Sequence, residues 1–381
     1  MSSVEPPLPL HPTPGELIDS GGRSRLGGIA AAVCELRRCN LGAPAAPSRL
    51  LSIRFSVVAG VACNARTPGS QSGMTASKPS GVLAPVLTAF TARAELDADR
   101  SVTHCQWLLQ NGCDGLVVFG TTSEANSCSV SERHHLLEKL VSAGVQPERL
   151  MPGTGCCSLK DTIELTRQAV QLGCAGVLTL PPFYYKQVSA DGLFQYFSQV
   201  IEAVNDERLR LYLYHIPPIS MVPIPLDLVE RLLDRFPETL AGVKDSSGDW
   251  ASMQRFLPFA DKGFDVFSGS EEFLLPLLQA GGAGTISAAA NVIPGILQTL
   301  YKGWKQPGSE QRQTALKKIS SVLRSKPLIP SLKAILAKAR RDARWKECRP
   351  PIVALNLKEE EDLFEALDNA QFKWPEFESR L

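Results

Sequence analysis

One stretch of the chain contains a complete repeat unit, since residues 211–245 read LYLYHIPPISMVPIPLDLVERLLDRFPETLAGVKD. It begins with the apolar run Leu211–Tyr214 and ends with the strand-like run Gly242–Lys244, and the amphipathic segment Leu226–Phe236 lies between them. Neither run alternates polar with apolar residues, which is typical of parallel strands that are buried on both faces. The stretch therefore predicts a strand, a helix and a second strand parallel to the first.

The same pattern repeats along the chain from residue 81 onwards. We predict eight strands, at Val82–Leu87, Gly115–Phe119, Leu150–Gly153, Gly176–Leu180, Leu211–Tyr214, Gly242–Lys244, Asp265–Phe267 and Gly284–Ser287. Helices are predicted between them at Asp99–Asn111, Val130–Ala143, Lys160–Leu172, Ala190–Val204, Leu226–Phe236, Trp250–Ala260 and Glu272–Ala280. Eight such units favour an α/β fold of the (β/α)8 TIM-barrel type over an open doubly wound sheet. No G-x-G-x-x-G motif follows the first strand, which argues against a dinucleotide-binding fold.

The barrel is predicted to occupy residues 79–305, with a segment of different character on each side. The residues from 294 onwards look helical, which is more than one closing helix requires, so we predict a C-terminal helical extension at residues 306–381. Residues 1–78 are rich in Pro, Gly, Ser, Ala and Arg, and Glu35 is the only acid between residues 21 and 80. Such a segment can be an organelle transit peptide. We favour a disordered extension, or upstream sequence that precedes a start at Met74.

Charge and cysteine usage exclude several classes of protein. Residues 1–80 hold eight of the 40 basic and four of the 39 acidic residues, so the main body carries a charge of about −3. It has no basic surplus that would hold nucleic acid or an anionic membrane. The ten cysteines form no C-x-x-C pair, which predicts reduced, core-filling thiols in a cytoplasmic protein. No apolar run reaches the 18 residues that a membrane span requires.

Lys244 and Tyr214 are the first candidate catalytic residues. In a TIM barrel the chemistry lies at the C-terminal ends of the strands, and the two residues end neighbouring strands that would lie about 4.8 Å apart. Burial disfavours the charged form of a lysine, and a neutral amine can attack a ketone to form a Schiff base. Taken alone, the lysine is more typical of a surface residue and the tyrosine of core packing. Their joint position favours a site.

Other polar residues end strands on the same rim. Thr121 and Thr122 follow a glycine after the second strand, where they can cap a helix or donate hydrogen bonds to a carboxylate. Glu271 and Glu272 begin a helix, where acidic residues are favourable in any case. Of the five histidines (His11, His104, His134, His135 and His215), only His215 ends a strand, so we predict no metal site.

These segments resemble the superfamily of N-acetylneuraminate lyase and dihydrodipicolinate synthase, which are class I aldolases and lyases. The resemblance covers about residues 81–356. It rests on Gly120–Glu124 with Ser129–Arg133, Pro182–Tyr185, Tyr214–Pro217, Gly242–Asp249, Gly281–Asn291 and Arg349-Pro350-Pro351. It implies a barrel with a helical C-terminal extension, often a homotetramer, and no cofactor. It also implies that a lysine forms an imine with pyruvate or another small 2-oxo acid, with an aldehyde as the second partner.

The resemblance also assigns roles to residues of the reaction centre. Lys244 would be the Schiff-base nucleophile, and Tyr214 would move the proton that makes and breaks the carbon–carbon bond. A phenol is a weak base alone, so it would need a hydroxyl chain such as one from Thr122 to Tyr184. Tyr184 matches the relay tyrosine that reaches across a subunit interface in some members, and Tyr185 is the alternative.

A second set of residues would bind the substrate, again by resemblance. Thr121 and Thr122, with the backbone at Ile286, would hold the carboxylate of the oxo acid. Glu271 and Glu272 resemble the acidic pair that sialate lyases use for sugar hydroxyls. Ser246 occupies the hydroxyl position that follows the lysine in those enzymes.

The chain departs from both named activities. Dihydrodipicolinate synthases usually carry an arginine at the position of Ile219, and an alkyl side chain cannot pair a carboxylate. Sialate lyases would have a serine at the position of Ala288. We therefore predict a lyase that releases pyruvate from, or dehydrates, a 2-keto-3-deoxy sugar acid or a 4-hydroxy-2-oxo acid. A dihydrodipicolinate synthase is the alternative, and a non-catalytic barrel that binds an oxo acid is the alternative of another class.

Overall fold

The computed structural model describes residues 78–377, so most of the predicted N-terminal extension lies outside the described residues. Seven parallel strands form one sheet in the order β2-β1-β7-β6-β5-β4-β3. They are β1 Gly81–Pro85, β2 Gly115–Val117, β3 Val177–Thr179, β4 Leu211–His215, β5 Leu240–Asp245, β6 Asp265–Ser268 and β7 Gly284–Ile286. In this order β2 and β3 are the two edge strands of the sheet. The sheet curls round, so that these two edges face each other across one gap.

The predicted third strand, Leu150–Gly153, fills that gap without forming a strand. Its prediction as a strand was wrong, because Pro152 has no N–H and cannot continue a ladder of hydrogen bonds. The segment still bonds to both sides. The N–H of Met151 donates to the carbonyl of Leu116 at 2.8 Å, and the N–H of Leu178 donates to the carbonyl of Pro152 at 2.9 Å. Eight segments thus surround one interior, as the TIM-barrel prediction requires.

Helices cover the outside of the barrel. They are α1 Ala98–Gln110, α2 Val130–Ser142, α3 Leu159–Gln171, α4 Ala190–Val204, α5 Pro217–Ser220, α6 Leu226–Arg235, α7 Trp250–Gln254, α8 Leu274–Gln279 and α9 Pro294–Lys302. The sixth predicted helix is divided, since α7 ends at Gln254 and a 3-10 helix follows at Leu257–Lys262. Pro258 explains the break, because its ring clashes with the carbonyl four residues earlier. The helix predicted at Glu272–Ala280 begins as a 3-10 turn, Glu271–Phe273, and continues as α8.

Helix caps follow the sequence closely. Ser129 and Glu132 form a capping box at the start of α2, in which the serine hydroxyl accepts from the Glu132 N–H and the Glu132 carboxylate accepts from the Ser129 N–H. Ser189 caps α4 by accepting a hydrogen bond from the N–H of Gly192. These bonds satisfy N–H groups that have no partner inside the helix.

The barrel has an apolar layer on each side of its strands, which explains the continuous apolar runs. The interior holds Leu83, Val117, Met151, Leu178, Tyr212, Tyr214, Ile216, Ala241, Phe267 and Ile286. A larger core lies between the strands and the helices. Glycine makes room for the largest inner ring, because a Cβ on Gly242 would lie 2.9 Å from carbons of the Tyr212 ring.

Three further helices follow the barrel, namely α10 Ser309–Arg324, α11 Leu328–Arg340 and α12 Leu357–Asn369. Helix α11 is the most buried of them, with residues from Pro330 to Ala337 enclosed on all sides. Within residues 78–377, no helix combines the length and the apolar character needed to cross a bilayer.

Candidate active site

Lys244 and Tyr214 lie side by side in the barrel. The two residues are register partners on β5 and β4. The Lys244 Nζ lies 3.3 Å from the phenol oxygen of Tyr214, and each residue is only 4% exposed. Parallel pairing explains the contact, since side chains at matched positions of neighbouring strands point to the same face. The structure therefore brings together the lysine and the phenol that the sequence placed on one rim.

Thr121 completes a row of three polar groups. Its hydroxyl lies 3.3 Å from the Tyr214 phenol oxygen, so Tyr214 stands between Thr121 and Lys244. The sequence predicts a chain of hydroxyl groups from Thr122 to Tyr184 instead. Thr122 is buried, but the hydroxyl that reaches the phenol belongs to Thr121. Adjacent threonines in a turn point in different directions, and the sequence could not tell which one faces the barrel.

The environment of Tyr214 favours its ionised form. Burial by itself would raise the pKa of the phenol, but the charge of Lys244 and hydrogen bonds from Thr121, Lys244 and Ser246 outweigh it and lower that pKa. A lowered pKa makes a phenol a better base near neutral pH. The cluster thus supplies both an amine and a proton acceptor within hydrogen-bond distance of one another.

Tyr184 and Tyr185 lie outside this buried cluster. They are 73% and 72% exposed, so neither ring is enclosed by its own chain. Their rings pack edge to face with centroids 5.3 Å apart. Within the single chain, the structure does not bring the predicted relay tyrosine together with Lys244.

A cavity of about 400 Å³ opens at the ends of β5, β6 and β7. Its lining includes Ser246, Glu271 and Glu272, together with Ile219, Ser287, Ala288 and Arg324. Ser246 is also among the groups that lower the pKa of the Tyr214 phenol, which relates the cavity to the cluster of Tyr214 and Lys244. Glu271 accepts a hydrogen bond from the Ser287 hydroxyl, while Glu272 forms an ion pair with Arg324. Three of the predicted substrate-binding side chains therefore share one cavity. Ile286 is fully buried on β7.

Sequence reasoning missed the group that anchors the strand end behind Lys244. The Asp245 carboxylate is fully buried and accepts hydrogen bonds from the Ser247 N–H at 2.8 Å and the Ser252 hydroxyl at 3.2 Å. His215 lies beside it, and its Nδ1 accepts from the N–H of Ile224 at 3.0 Å. The signal was the run Asp245-Ser246-Ser247-Gly248, which is typical of a turn closed by an aspartate side chain.

The described residues offer no ready metal centre. Within residues 78–377, no three His, Cys, Asp or Glu side chains converge in a way that could hold a metal ion. His104 is buried, and burial lowers its pKa to about 3, so its ring is neutral.

Comparison with known proteins shows which family has this fold and this sequence. The model of the dihydrodipicolinate synthetase family matches residues 78–370. The chain is 32% identical over 262 residues to an uncharacterized DapA-like lyase of Chloroflexus aurantiacus, a match that covers 68% of this chain and 87% of the relative. Dihydrodipicolinate synthase of Agrobacterium tumefaciens has a similar structure, with a TM-score of 0.72, 30% identity and coverage of 77% of this chain and 99% of that chain.

A second solved structure is that of YagE from E. coli K12, a prophage protein of the dihydrodipicolinic acid synthase family in complex with pyruvate. It has a TM-score of 0.70 and 26% identity, and covers 77% of this chain and 99% of that chain. With the barrel and its buried lysine, these likenesses define a lyase of the class I aldolase type. The chain belongs to the dihydrodipicolinate synthetase family, because that family's model matches well over half of it. The resemblance seen in the sequence is confirmed.

Proposed function

We propose that this lyase forms an imine between Lys244 and a small 2-oxo acid, with pyruvate as the product released by retro-aldol cleavage. One observation carries the proposal: the Lys244 Nζ lies 3.3 Å from the Tyr214 phenol oxygen inside the barrel. An amine that must lose its proton and a phenol that must exchange one are useful together only if the same substrate contacts both.

The reaction follows from these positions. The neutral Lys244 amine attacks the ketone carbon of the substrate, and loss of water gives an imine that withdraws electrons. Tyr214 removes the proton of the 4-hydroxyl group, the bond between C3 and C4 breaks, and an aldehyde leaves. The electron pair of the broken C3–C4 bond passes into the imine to give an enamine. Protonation of the enamine and hydrolysis by water release pyruvate and restore the amine.

The remaining residues take binding roles in this proposal. Thr121 and Thr122 and the backbone at Ile286 hold the carboxylate of the oxo acid, and the Thr121 hydroxyl also connects Tyr214 to the proton path. Ser246, Glu271 and Glu272 face the part of the substrate that leaves as the aldehyde, because all three line the same cavity.

The cavity supports an aldehyde that carries hydroxyl groups. Its wall combines carboxylates, the Arg324 guanidinium and serine hydroxyls, which together offer both hydrogen-bond donors and acceptors. A 2-keto-3-deoxy sugar acid or a 4-hydroxy-2-oxo acid fits this lining, and dehydration of the same substrate would begin from the same imine. Ile219 lies in the cavity wall where a synthase would carry an arginine, which disfavours aspartate semialdehyde.

A homotetramer completes the proposal. Tyr184, Tyr185, Ile219 and Met221 are large apolar residues that are more than 60% exposed. They belong to two segments that meet, the loop after β3 and the region of α5, because Lys186 Nζ donates to the carbonyl of Ser220 at 2.9 Å. Such a patch is typical of a protein interface. A second copy of the chain would cover it and receive Tyr184 as a relay.

We place this oligomer in the cytoplasm, which the free thiols of the described residues support.

Borohydride trapping tests the imine. Incubation of the full chain with pyruvate and borohydride should add one reduced pyruvate at Lys244, seen by peptide mass spectrometry. Lys244→Met should abolish the adduct, whereas Lys262→Met, which changes an exposed lysine, should leave it intact. Failure of the wild type to trap any 2-oxo acid, combined with equal stabilisation of wild type and Lys244→Met by pyruvate, would support the non-catalytic barrel instead.

A substrate panel tests the leaving aldehyde. Pyruvate release should be measured from 2-keto-3-deoxygluconate, N-acetylneuraminate and 4-hydroxy-2-oxoglutarate, and condensation should be measured with aspartate semialdehyde. Fast condensation and slow cleavage of all three acids would replace the proposal with a synthase.

A further inference from the structure

A buried ion pair joins the C-terminal helices to the turn that carries Thr121. The Lys333 ammonium, on α11, donates to a carboxylate oxygen of Glu124, and neither side chain has any exposed surface. Lys333 also donates to the carbonyl of Glu347 at 2.7 Å and lies 4.7 Å from the centre of the Phe90 ring. The ammonium is therefore held from several sides and has little freedom to move.

Glu124 closes the turn in which Thr121 lies. Its N–H donates to the carbonyl of Thr121 at 3.0 Å. Its backbone has φ 56° and ψ 36°, a left-handed conformation that non-glycine residues adopt rarely. Such a conformation persists only where surrounding contacts hold it. The Lys333–Glu124 bond is a contact of that kind, and the hydroxyl of Thr121 in the same turn contacts Tyr214.

A second residue of the C-terminal extension, Arg349, binds the same loop. The N–H of Arg349 donates to the other carboxylate oxygen of Glu124 at 2.9 Å. The Arg349 guanidinium donates to the carbonyl of Ser127 at 2.6 Å and forms a bidentate pair with Glu132 at the start of α2. The loop that follows β2 is thus fixed on its outer side by residues more than 200 positions later in the chain.

Stabilisation of the fold does not by itself explain the buried ion pair of Lys333 and Glu124. Removing two charges from water is costly, and apolar residues of similar volume often stabilise a protein as well or better. A buried pair does fix one geometry, because each charge must face the other. We propose that Lys333 is a positioning residue that acts through Glu124 to hold the Thr121 hydroxyl against Tyr214. This inference rests on the proposed function, in which Tyr214 transfers the proton.

Three variants of the full chain test the inference: Lys333→Met, Glu124→Gln, and the double variant with both changes. Each single change leaves one buried charge without its opposite charge and should lower the melting temperature strongly. The double variant removes both charges and keeps the side-chain volumes similar, so most of the melting temperature should return. Its kcat, expressed per site that traps pyruvate, should stay roughly tenfold or more below that of the wild type.

The pH profile separates positioning from stability. The Thr121 hydrogen bond contributes to the lowered pKa of Tyr214. When the turn loses its anchor, the rise of kcat with pH should move to higher pH in the double variant. A purely structural role would leave both the profile and kcat per trapping site as in the wild type. That result, or a return of kcat together with the melting temperature, overturns the inference.

Lys346→Met is the matched control. Lys346 pairs with Glu360 at 2.6 Å and also belongs to the C-terminal extension, but its partner lies on α12 and not in the loop after β2. This variant should lower the melting temperature slightly and leave kcat and the pH profile unchanged. Pyruvate trapping by the wild type reports separately on the proposed function. If trapping succeeds and the double variant behaves like the wild type, only the positioning role of Lys333 fails, whereas absence of trapping in the wild type removes both.

Discussion

The ammonium of Lys244 lies against the ring of Tyr214, with Nζ 4.3 Å from the ring centroid and 3.3 Å from the phenol oxygen. The face and the hydroxyl of one tyrosine therefore contact the same amine. The ring stabilises the cation by a cation–π interaction, while in the proposed mechanism the hydroxyl exchanges protons. These two contributions can be separated, because phenylalanine keeps the first and lacks the second.

Tyr214→Phe should lower kcat by about a hundredfold to ten-thousandfold, which is the usual contribution of a positioned general acid or base. Pyruvate should still be trapped at Lys244 by borohydride, since the amine and its packing remain. Steady-state kinetics and peptide mass spectrometry measure the two effects on one preparation. A variant with wild-type kcat would remove Tyr214 from the mechanism.

Thr121→Val should move the pH dependence of kcat. The Thr121 hydroxyl is one of the groups that lower the pKa of the Tyr214 phenol, so its loss raises that pKa. The phenolate then forms only at higher pH, and the rising limb of the kcat profile shifts in that direction. Thr122→Val is the control, because its hydroxyl is assigned to the carboxylate and should affect KM without moving the limb. Equal shifts in both variants would contradict the assignment.

Glu132→Gln should destabilise the protein at neutral pH by about 1 kcal/mol, the scale of a partly exposed ion pair. The hydrogen bond from Arg349 is the main cause that lowers the pKa of Glu132. A carboxylate with a lowered folded pKa stabilises the protein above its unfolded pKa, and the benefit disappears as the pH falls through the folded value. Thermal unfolding should therefore show a difference between wild type and variant at pH 7 that shrinks below about pH 4. A constant difference would exclude the charge as the cause.

Gly242→Ala should weaken the barrel close to the site. An added Cβ would lie 2.3 Å from the carbonyl oxygen of Asp265 and 2.9 Å from the Tyr212 ring, so β5 and β6 must separate. Overpacking of this kind typically costs about 1–3 kcal/mol. Denaturant unfolding measures the loss, and trapping should slow because Lys244 lies two residues further along the same strand. Gly248→Ala is not a suitable control, since Gly248 has φ 77°. Gly192→Ala is suitable, because its Cβ would meet only the Ser189 hydroxyl at 3.5 Å.

Most of the barrel could be predicted because its strands are buried on both faces. Continuous apolar runs predicted seven strands close to their observed positions, and amphipathic segments predicted the helices between them. The errors came from proline. Pro152 prevents the third segment from forming a strand because it has no N–H, and Pro258 divides a predicted helix because its ring clashes with the preceding turn, and both effects could have been predicted from the sequence.

The site could be predicted only for reactive residues that lie at the C-terminal ends of strands. Lys244 and Tyr214 belong to neighbouring strands, and that spacing alone brings them together. Thr121 and Thr122 are adjacent, and the backbone path of the turn decides which hydroxyl points inwards. Glu124 and Lys333 are 209 residues apart, and no local pattern indicates that they meet. The partner that would enclose Tyr184 is a property of the assembly and not of one chain.

The order of the chain has a consequence for biosynthesis. Translation makes Glu124 long before Lys333, so the newly made barrel carries an acid whose cation has not yet emerged from the ribosome. On the positioning role inferred for Lys333, every strand can be complete while the turn that carries Thr121 still lacks its anchor, and proteolytic loss of α11 would lower kcat without removing Thr121, Tyr214 or Lys244.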